Sequence, residues 1–194
     1  EITITNAQLG NKHTTEYTLH IRDVARETKL KSRLNFLAYK DALTGLSNRT
    51  HMITELNASV KLAKKHQFSV AVYFLDLDKF KKINDTLGHK AGDQLLCEVA
   101  NRLTLLARST DVIARWGGDE FLFMMSGKLT QTLIMKKAES MLQEMRKPVN
   151  IQGQLYTIPT SIGVAVSING DIEGDAVIQQ ADIAMYKAKN SGRD

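Results

Sequence analysis

The chain has 194 residues, of which 43% are hydrophobic and 24% are charged, so it is long enough for one domain with a sizeable core and a short additional segment. Its single cysteine excludes an internal disulfide and a cysteine zinc cluster, and we expect a reducing, cytoplasmic location. The net charge of +5 is spread along the sequence, which favours a small anionic ligand over long nucleic acid.

The first 24 residues carry a strand pattern that is too short to fold alone. Apolar and polar residues alternate between residues 2 and 22 on both sides of a turn-like Gly10–Asn11 pair, which predicts two strands and a loop. Residues 17–24 resemble the last strand of PAS sensory domains, so we interpret residues 1–24 as a fragment of such a domain. Because the first residue is Glu1 and no apolar run is long enough to span a membrane, we expect a soluble piece of a longer protein.

Residues 25–40 are predicted to form a signalling linker helix. No Pro or Gly interrupts them, and Leu30, Leu34 and Leu37 lie on one face at the spacing found in coiled coils. Two interpretations remain open for this helix. It is either a solvated spacer or an element that pairs two chains and transmits a signal.

The rest of the chain, residues 41–194, alternates between predicted helices and strands. Helical periodicity predicts helices at 48–65, 92–107, 130–145 and 175–188. Apolar runs predict strands at 68–75, 112–114, 121–125, on both sides of Gly153, and at 162–166. Because the strands at 112–114 and 121–125 form a hairpin, we predict an α/β (α+β) domain with a mixed rather than parallel central sheet, flanked by helices.

Two acidic clusters stand at the ends of predicted strands. The segment 115–121 reads Arg-Trp-Gly-Gly-Asp-Glu-Phe, and its two glycines predict a tight hairpin turn followed by the carboxylates of Asp119 and Glu120. Asp76 and Asp78 follow the apolar run at 68–75. Taken alone, such acids are often ordinary polar turn residues. Two strand ends with outward carboxylates favour one shared site for a hard cation, either Mg²⁺ or Mn²⁺.

Four motifs resemble those of the GGDEF domain family and follow one another in that family's order. Besides the segment 115–121, they are Asp-Ala-Leu-Thr-Gly-Leu-Ser-Asn-Arg at 41–49, Asp-Leu-Asp-Lys-Phe-Lys-Lys-Ile-Asn-Asp at 76–85 and Gly-His-Lys-Ala-Gly-Asp at 88–93. The resemblance covers residues 41–194. It implies a βαββαβ core like the palm of polymerases and nucleotidyl cyclases. It also implies a diguanylate cyclase, which condenses two GTP into cyclic di-GMP and releases two pyrophosphates.

The resemblance implies a metal site made by Asp76, Asp119 and the backbone carbonyl of Leu77. Mg²⁺ keeps several waters and needs only one or two carboxylates beside the phosphates of a nucleotide. We therefore expect the metal to polarise the α-phosphate and to acidify the attacking ribose hydroxyl. Asp119 is also a candidate base. Glu120 is a catalytic candidate whose role the sequence leaves open, and Asp78 is expected to be a structural hydrogen-bond acceptor.

The resemblance also assigns the guanine base to two residues. Asn84 and Asp93 match the positions that contact guanine, whose two adjacent donors a single carboxylate can accept together. Without the surrounding motifs, Asn84 is an ordinary turn residue and Asp93 is an acid favoured near a helix N-terminus.

The triphosphate is expected to contact four further residues. Lys189 and Arg193 match the family's residues that reach the β- and γ-phosphates, although cations also commonly follow a helix C-terminus. The backbone amides around Phe80 and Lys81 are expected to hold phosphate as the start of a helix does.

The resemblance further implies a homodimer, in which the 3′-hydroxyl of each GTP attacks the α-phosphate held by the partner chain. Arg108 and Asp111 form an Arg-x-x-Asp sequence at the distance before Gly117 that the family uses for an inhibitory site binding its product. The family often adds an arginine from the following helix, whereas residues 136–144 offer only lysines as cations. We therefore expect feedback by cyclic di-GMP to be weak or shared differently.

The rival interpretation is a module that binds GTP or cyclic di-GMP without turnover. Degenerate members of the family usually lose the hairpin acids, whereas Asp76, Asp119, Lys189 and Arg193 are all present here, which favours an enzyme. A polymerase palm is a third interpretation, but no fingers-like segment or basic channel accompanies the core. We therefore expect neither nucleic acid nor a membrane as a partner.

Overall fold

The structure, a computed structural model, describes residues 2–8, 15–21, 29 and 38–192. The chain divides into two units between Ala38 and Tyr39. In the smaller unit, β1 (Ile2–Gln8) and β2 (Thr15–Ile21) form an antiparallel pair, which confirms the two predicted strands. The predicted turn at Gly10–Asn11 and nearly all of the predicted 25–40 helix lie outside the described residues.

The larger unit contains the predicted helices and strands at nearly the predicted bounds. Its helices are α1 (Arg49–His66), α2 (Phe80–Leu87), α3 (His89–Leu106), α4 (Gln131–Arg146) and α5 (Gly174–Asn190). Its strands are β3 (Ser69–Leu77), β4 (Val112–Gly117), β5 (Glu120–Gly127), β6 (Val149–Ile151), β7 (Gln154–Tyr156) and β8 (Thr160–Ile168). We did not predict α2 as a separate helix, because it is short and buries none of its residues. No helix among the described residues is long and apolar enough to cross a membrane.

Four strands form the central sheet in the order β4-β5-β3-β8. The predicted α+β class with a βαββαβ core and flanking helices is confirmed. The pairing differs from the mixed pairing that we expected, because every neighbouring pair in this sheet is antiparallel. Each helical crossover joins two parallel strands but leaves a third strand between them: β5 separates β3 from β4, and β3 separates β5 from β8. Parallel strands of this sheet are therefore never neighbours.

Helices cover both faces of the sheet, and β3 is buried along almost its whole length. Alternate β3 residues pack with α1 and α5 on one face and with α3 and α4 on the other. The predicted inward face of α1 is confirmed, because Met52, Leu56, Val60 and Ala63 are all buried. Since β3 lies between β5 and β8, its last residues meet both neighbours at one edge of the core.

Candidate active site

Asp76 lies near the end of β3, between the two strands that flank it. It pairs with Glu120 of β5 on one side and with Ser161 of β8 on the other. Directly opposed residues of antiparallel strands point to the same face of a sheet. The Asp76 side chain is only 10% exposed, so its charge requires a counter-charge close by.

Lys189 on the last turn of α5 provides that counter-charge. Its Nζ atom donates a hydrogen bond to Asp76 Oδ1 at 2.5 Å. Burial lowers the pKa of Lys189, but the hydrogen bond and charge of Asp76, helped by other carboxylates, outweigh burial, and the pKa is raised. An ammonium group of the protein itself therefore stands beside the carboxylate that we expected to bind a metal.

The turn between β4 and β5 brings Asp119 to the end of β3. Gly118 has a φ of +52°, a conformation that residues with a Cβ rarely adopt. The Leu77 N–H donates to the Asp119 carbonyl at 3.3 Å, which joins this turn to the last residue of β3. Burial raises the pKa of the Asp119 carboxyl, and the nearby charge of Asp76 raises it further. The two aspartates therefore repel each other across one small region.

Glu120 adds a further negative charge to the same region. Burial raises the pKa of Glu120, and the charges of Asp76, Asp119 and Asp182 act in the same direction. A cation would relieve this repulsion, and carboxylate and carbonyl oxygens are the ligands that Mg²⁺ prefers. Among the described residues, no three His, Cys, Asp or Glu side chains are arranged to hold a metal by themselves. The donor set available here is thus two carboxylates, Asp76 and Asp119, with backbone and phosphate oxygens.

Asp78, two residues after Asp76, is almost completely buried. The residue is 2% exposed, and its Oδ2 atom accepts a hydrogen bond from the Ser161 hydroxyl at 2.9 Å. Its backbone N–H donates to the Pro159 carbonyl at 2.8 Å. These contacts agree with the structural role that we expected for Asp78.

Arg115 holds the turn between β4 and β5, a role that we did not derive from the sequence. Its Nε and Nη2 atoms donate to the Gly118 carbonyl at 3.0 and 2.8 Å, and its Nη1 atom lies 3.4 Å from Asp41 Oδ2. Asp41 also accepts the backbone N–H and the hydroxyl of Thr44. Burial opposes ionisation of Asp41, but these hydrogen bonds and Arg115 hold its pKa below the usual range. The only available signal was that both residues stand within recognised motifs.

The residues expected to contact the guanine base, and the backbone amides expected to hold phosphate, lie on α2 and α3. Asn84 on α2 packs against Gly92 on α3, which immediately precedes the exposed Asp93. The residue before α2, Lys79, has a φ of +64° and makes no side-chain cap, so the first amides of α2, at Phe80 and Lys81, lack intrahelical acceptors. Arg193 lies outside the described residues.

The two residues of the expected inhibitory site differ in exposure. Arg108 is exposed, whereas the Asp111 side chain is only 2% exposed and accepts the Arg108 N–H at 3.0 Å. Lys137 Nζ lies 4.0 Å from Asp111 and donates to the Leu106 carbonyl at 2.6 Å. Arg108 and Asp111 line a groove of about 560 Å³ that also includes His51. Lys137 is thus held against α3 and the Arg-x-x-Asp turn.

Comparison with known proteins identifies relatives whose matches include the larger unit. The family model described as "Diguanylate cyclase, GGDEF domain" matches residues 38–194. The chain is 38% identical over 172 residues to the cyclic di-GMP phosphodiesterase PdeR of Escherichia coli (strain K12), covering 88% of this chain and 25% of that protein. It is 34% identical over 157 residues to the diguanylate cyclase TpbB of Pseudomonas aeruginosa, covering 80% of this chain and 36% of that protein. The chain is therefore similar to only part of each relative.

Solved structures show the same likeness. The crystal structure of the coiled coil and GGDEF domain of DgcB from Caulobacter crescentus, in complex with c-di-GMP, superimposes with a TM-score of 0.81 at 28% identity. The match covers 88% of this chain and 90% of that one. A sensory box/GGDEF family protein from Caulobacter crescentus CB15 gives a TM-score of 0.75 at 36% identity, covering 80% of this chain and 100% of that one.

Proposed function

Because the chain belongs to the GGDEF family over residues 38–194, we propose that it is a diguanylate cyclase, which condenses two GTP into cyclic di-GMP and releases two pyrophosphates. The observation that carries this proposal is the meeting of Asp76 and Asp119 at the end of β3, beside the ammonium of Lys189. Family membership alone does not decide activity, since PdeR is a phosphodiesterase by name. Retention of both acids favours an enzyme over a silent binding module.

We assign Asp76, Asp119 and the Leu77 carbonyl to a divalent cation, Mg²⁺ or Mn²⁺. When bound, this ion would polarise the α-phosphate and lower the pKa of the attacking hydroxyl. A single carboxylate about 4 Å from a phosphate oxygen would otherwise repel it by roughly 4 kcal/mol at an effective dielectric near 20. Asp119, whose pKa is already raised, is the candidate base, and Glu120 reinforces the negative field around the cation.

The nucleotide is assigned to residues on both sides of these acids. We expect Lys189 to release Asp76 when nucleotide binds and to contact the β- and γ-phosphates instead. Arg193 would be a second cation for these phosphates. The backbone N–H groups of Phe80 and Lys81 at the start of α2 would donate hydrogen bonds to phosphate oxygens. Asn84 and Asp93 would contact the guanine base, because a carboxylate accepts its two adjacent donors and finds no match in adenine.

The reaction needs two nucleotides, and each chain has one such site. We therefore propose an active homodimer in which two sites face each other. We further propose that cyclic di-GMP inhibits the enzyme by binding at Arg108 and Asp111. Residues 1–24 and 25–40 are proposed to be a PAS-like fragment and a linker helix that couples an upstream signal to pairing of the cyclase unit.

Incubation with GTP and Mg²⁺, followed by chromatographic separation of the products, tests the central proposal. We expect cyclic di-GMP and pyrophosphate from GTP and no cyclic dinucleotide from ATP. Asp119→Ala should abolish product without lowering the melting temperature, because the residue lies in a turn outside the core and the substitution removes a charge that burial disfavours. Glu139→Ala, an exposed acid on α4, is the matched control. An Asp119→Ala variant as active as the parent would refute the metal assignment. Binding of GTP without any product would favour the silent module.

A further inference from the structure

We propose that Gly92 is a positioning residue that determines which end of the Asn84 side-chain amide faces the base of a bound nucleotide. The base-recognition part of this inference rests on the proposed function, whereas the contact between the two residues does not. Asn84 lies on α2 and Gly92 lies near the start of α3. Their packing joins the two helices that carry the expected base contacts.

The absence of a side chain at Gly92 makes room for the Asn84 amide. A Cβ at Gly92 would overlap Asn84 Oδ1, would lie 2.9 Å from Asn84 Cγ and would lie 3.1 Å from Phe80 Cζ. Separations this short would force the amide to move, because neither backbone can retreat without disturbing its helix. Any residue other than glycine at position 92 would therefore displace Asn84 from its position.

The contact also gives the amide a direction. In glycine a second Cα–H bond points where the Cβ would stand, and here that bond points at Asn84 Oδ1. A Cα–H group is a weak donor to oxygen, whereas it would repel the hydrogens of an amide nitrogen. Asn84 Oδ1 is buried and has no conventional hydrogen-bond partner. The two ends of an amide are distinguished by their partners, so Gly92 selects the orientation with the oxygen inward.

This orientation leaves the Nδ2 amino group of Asn84 for a ligand, since the residue as a whole is only half-buried. The next residue after Gly92 is Asp93, which is exposed and accepts hydrogen bonds only. The pair therefore offers a donor beside two acceptors. Guanine matches this pattern with two adjacent donors, N1–H and N2–H₂, flanked by the acceptors O6 and N3. Adenine places an acceptor at N1 and does not match.

A thermal-unfolding cycle without nucleotide tests the contact itself. Gly92→Ala should lower the melting temperature in the parent, because Asn84 is displaced. In an Asn84→Ala background the same change should lower the melting temperature clearly less or not at all, because only the 3.1 Å approach to Phe80 Cζ remains and alanine is the better helix former. An equal loss in both backgrounds would show that Gly92 does not act through Asn84 and would overturn the inference.

A binding cycle with 3′-deoxy-GTP and Mg²⁺ tests base recognition, since this nucleotide lacks the attacking hydroxyl. By calorimetry, Gly92→Ala and Asn84→Ala should each weaken binding by about tenfold or more, and the double variant should bind no more weakly than Asn84→Ala. Asn101→Ala, an exposed change on α3, should bind like the parent. The corresponding 6-thioguanine nucleotide keeps N1–H and N2–H₂ but has a weaker acceptor at position 6, and the 3-deazaguanine nucleotide lacks the acceptor N3. The parent should discriminate against one of them, and Asn84→Ala should not.

The outcomes separate the two proposals. If Gly92→Ala binds 3′-deoxy-GTP as tightly as the parent, or if the two losses multiply in the double variant, the role of Gly92 is refuted while the cyclase proposal stands. If the parent does not bind 3′-deoxy-GTP at all, the proposed function fails and base recognition by Asn84 fails with it, even where the unfolding cycle shows coupling between Gly92 and Asn84.

Discussion

At the scale of single residues, Asp119 stands where its ionised form is disfavoured. Burial and the charge of Asp76 raise its pKa above the ordinary value of 3.8. The folded protein therefore holds a proton on Asp119 at pH values where the unfolded chain has already lost it. The contribution of Asp119 to the free energy of unfolding is fully present below the pKa that Asp119 has in the unfolded chain. It is lost as the pH rises through the pKa that Asp119 has in the folded protein. At neutral pH its charge destabilises the metal-free fold.

Asp119→Asn should therefore raise the melting temperature of the metal-free protein near about pH 7 while reducing product formation by about a hundredfold or more. The stabilisation should shrink as the pH falls and the Asp119 carboxyl of the parent takes up its proton. Thermal unfolding as a function of pH in the presence of a chelator measures the effect. Glu139→Gln is the control, and a variant that melts below the parent at neutral pH would contradict the interpretation.

Arg108 and Asp111 are unequal partners for a product molecule. The Asp111 side chain is turned inward, whereas Arg108 is exposed and can stack on a base or grip phosphate with its planar fork. Arg108→Ala should weaken binding of cyclic di-GMP by about tenfold or more and leave initial rates of turnover unchanged. Calorimetry with the product measures this, with Lys136→Ala as the exposed-cation control. Equal affinity in the parent and Arg108→Ala would remove the inhibitory-site proposal.

At the scale of elements, one buried arginine caps the C-terminal end of α4. Arg102 on α3 is 5% exposed and pairs with the Glu98 carboxylate at 2.8 Å. Its Nη atoms donate to two carbonyls in the last turn of α4, those of Glu144 and Met145, and to two that follow the helix, those of Lys147 and Pro148. The last carbonyls of a helix have no intrahelical partner. Arg102 thus satisfies the C-terminus of α4 and fastens it to α3.

Arg102→Met keeps most of the side-chain volume but removes the guanidinium donor from those carbonyls, of which that of Glu144 still accepts the Lys147 N–H. We expect a loss of about 3 kcal/mol in the free energy of unfolding, which corresponds to a fall of roughly 6–12 °C in melting temperature. Chemical and thermal unfolding measure it. Glu98→Gln should cost less than about 1 kcal/mol, because its carboxylate is 36% exposed. Similar losses in the free energy of unfolding in the two variants would show that Arg102 stabilises the fold through its ion pair with Glu98 rather than through the carbonyls at the end of α4.

At the scale of the whole molecule, one chain holds one proposed GTP site, so the rate should depend on how chains meet. Specific activity should rise with protein concentration and approach zero at high dilution. A dimeric coiled coil fused before residue 39 should remove most of this dependence by raising the effective concentration of the second site. A fused monomeric helix is the control. A specific activity that stays constant on dilution of the unfused chain would contradict catalysis between two chains.

The sequence alone determined the positions and types of most elements in the larger unit and the family. Periodicity is local, so the inward face of α1 follows from apolar residues one helical turn apart, and the turn before Asp119 follows from two adjacent glycines. Asp76 and Asp119 could be named because each follows a recognisable strand within a motif. None of these inferences requires knowing which segments are neighbours in space.

The tertiary structure decided what such patterns do not encode. Periodicity reports that β3 is buried but not which strands flank it, so the antiparallel pairing and the interleaved crossovers could not be derived. Lys189 and Asp76 are 113 positions apart, and their hydrogen bond exists only because α5 packs on the face where β3 ends. The links from Arg115 to Asp41 and from Gly92 to Asn84 likewise depend on side chains brought together by packing. Burial can be read from one segment, whereas a contact depends on where two segments meet.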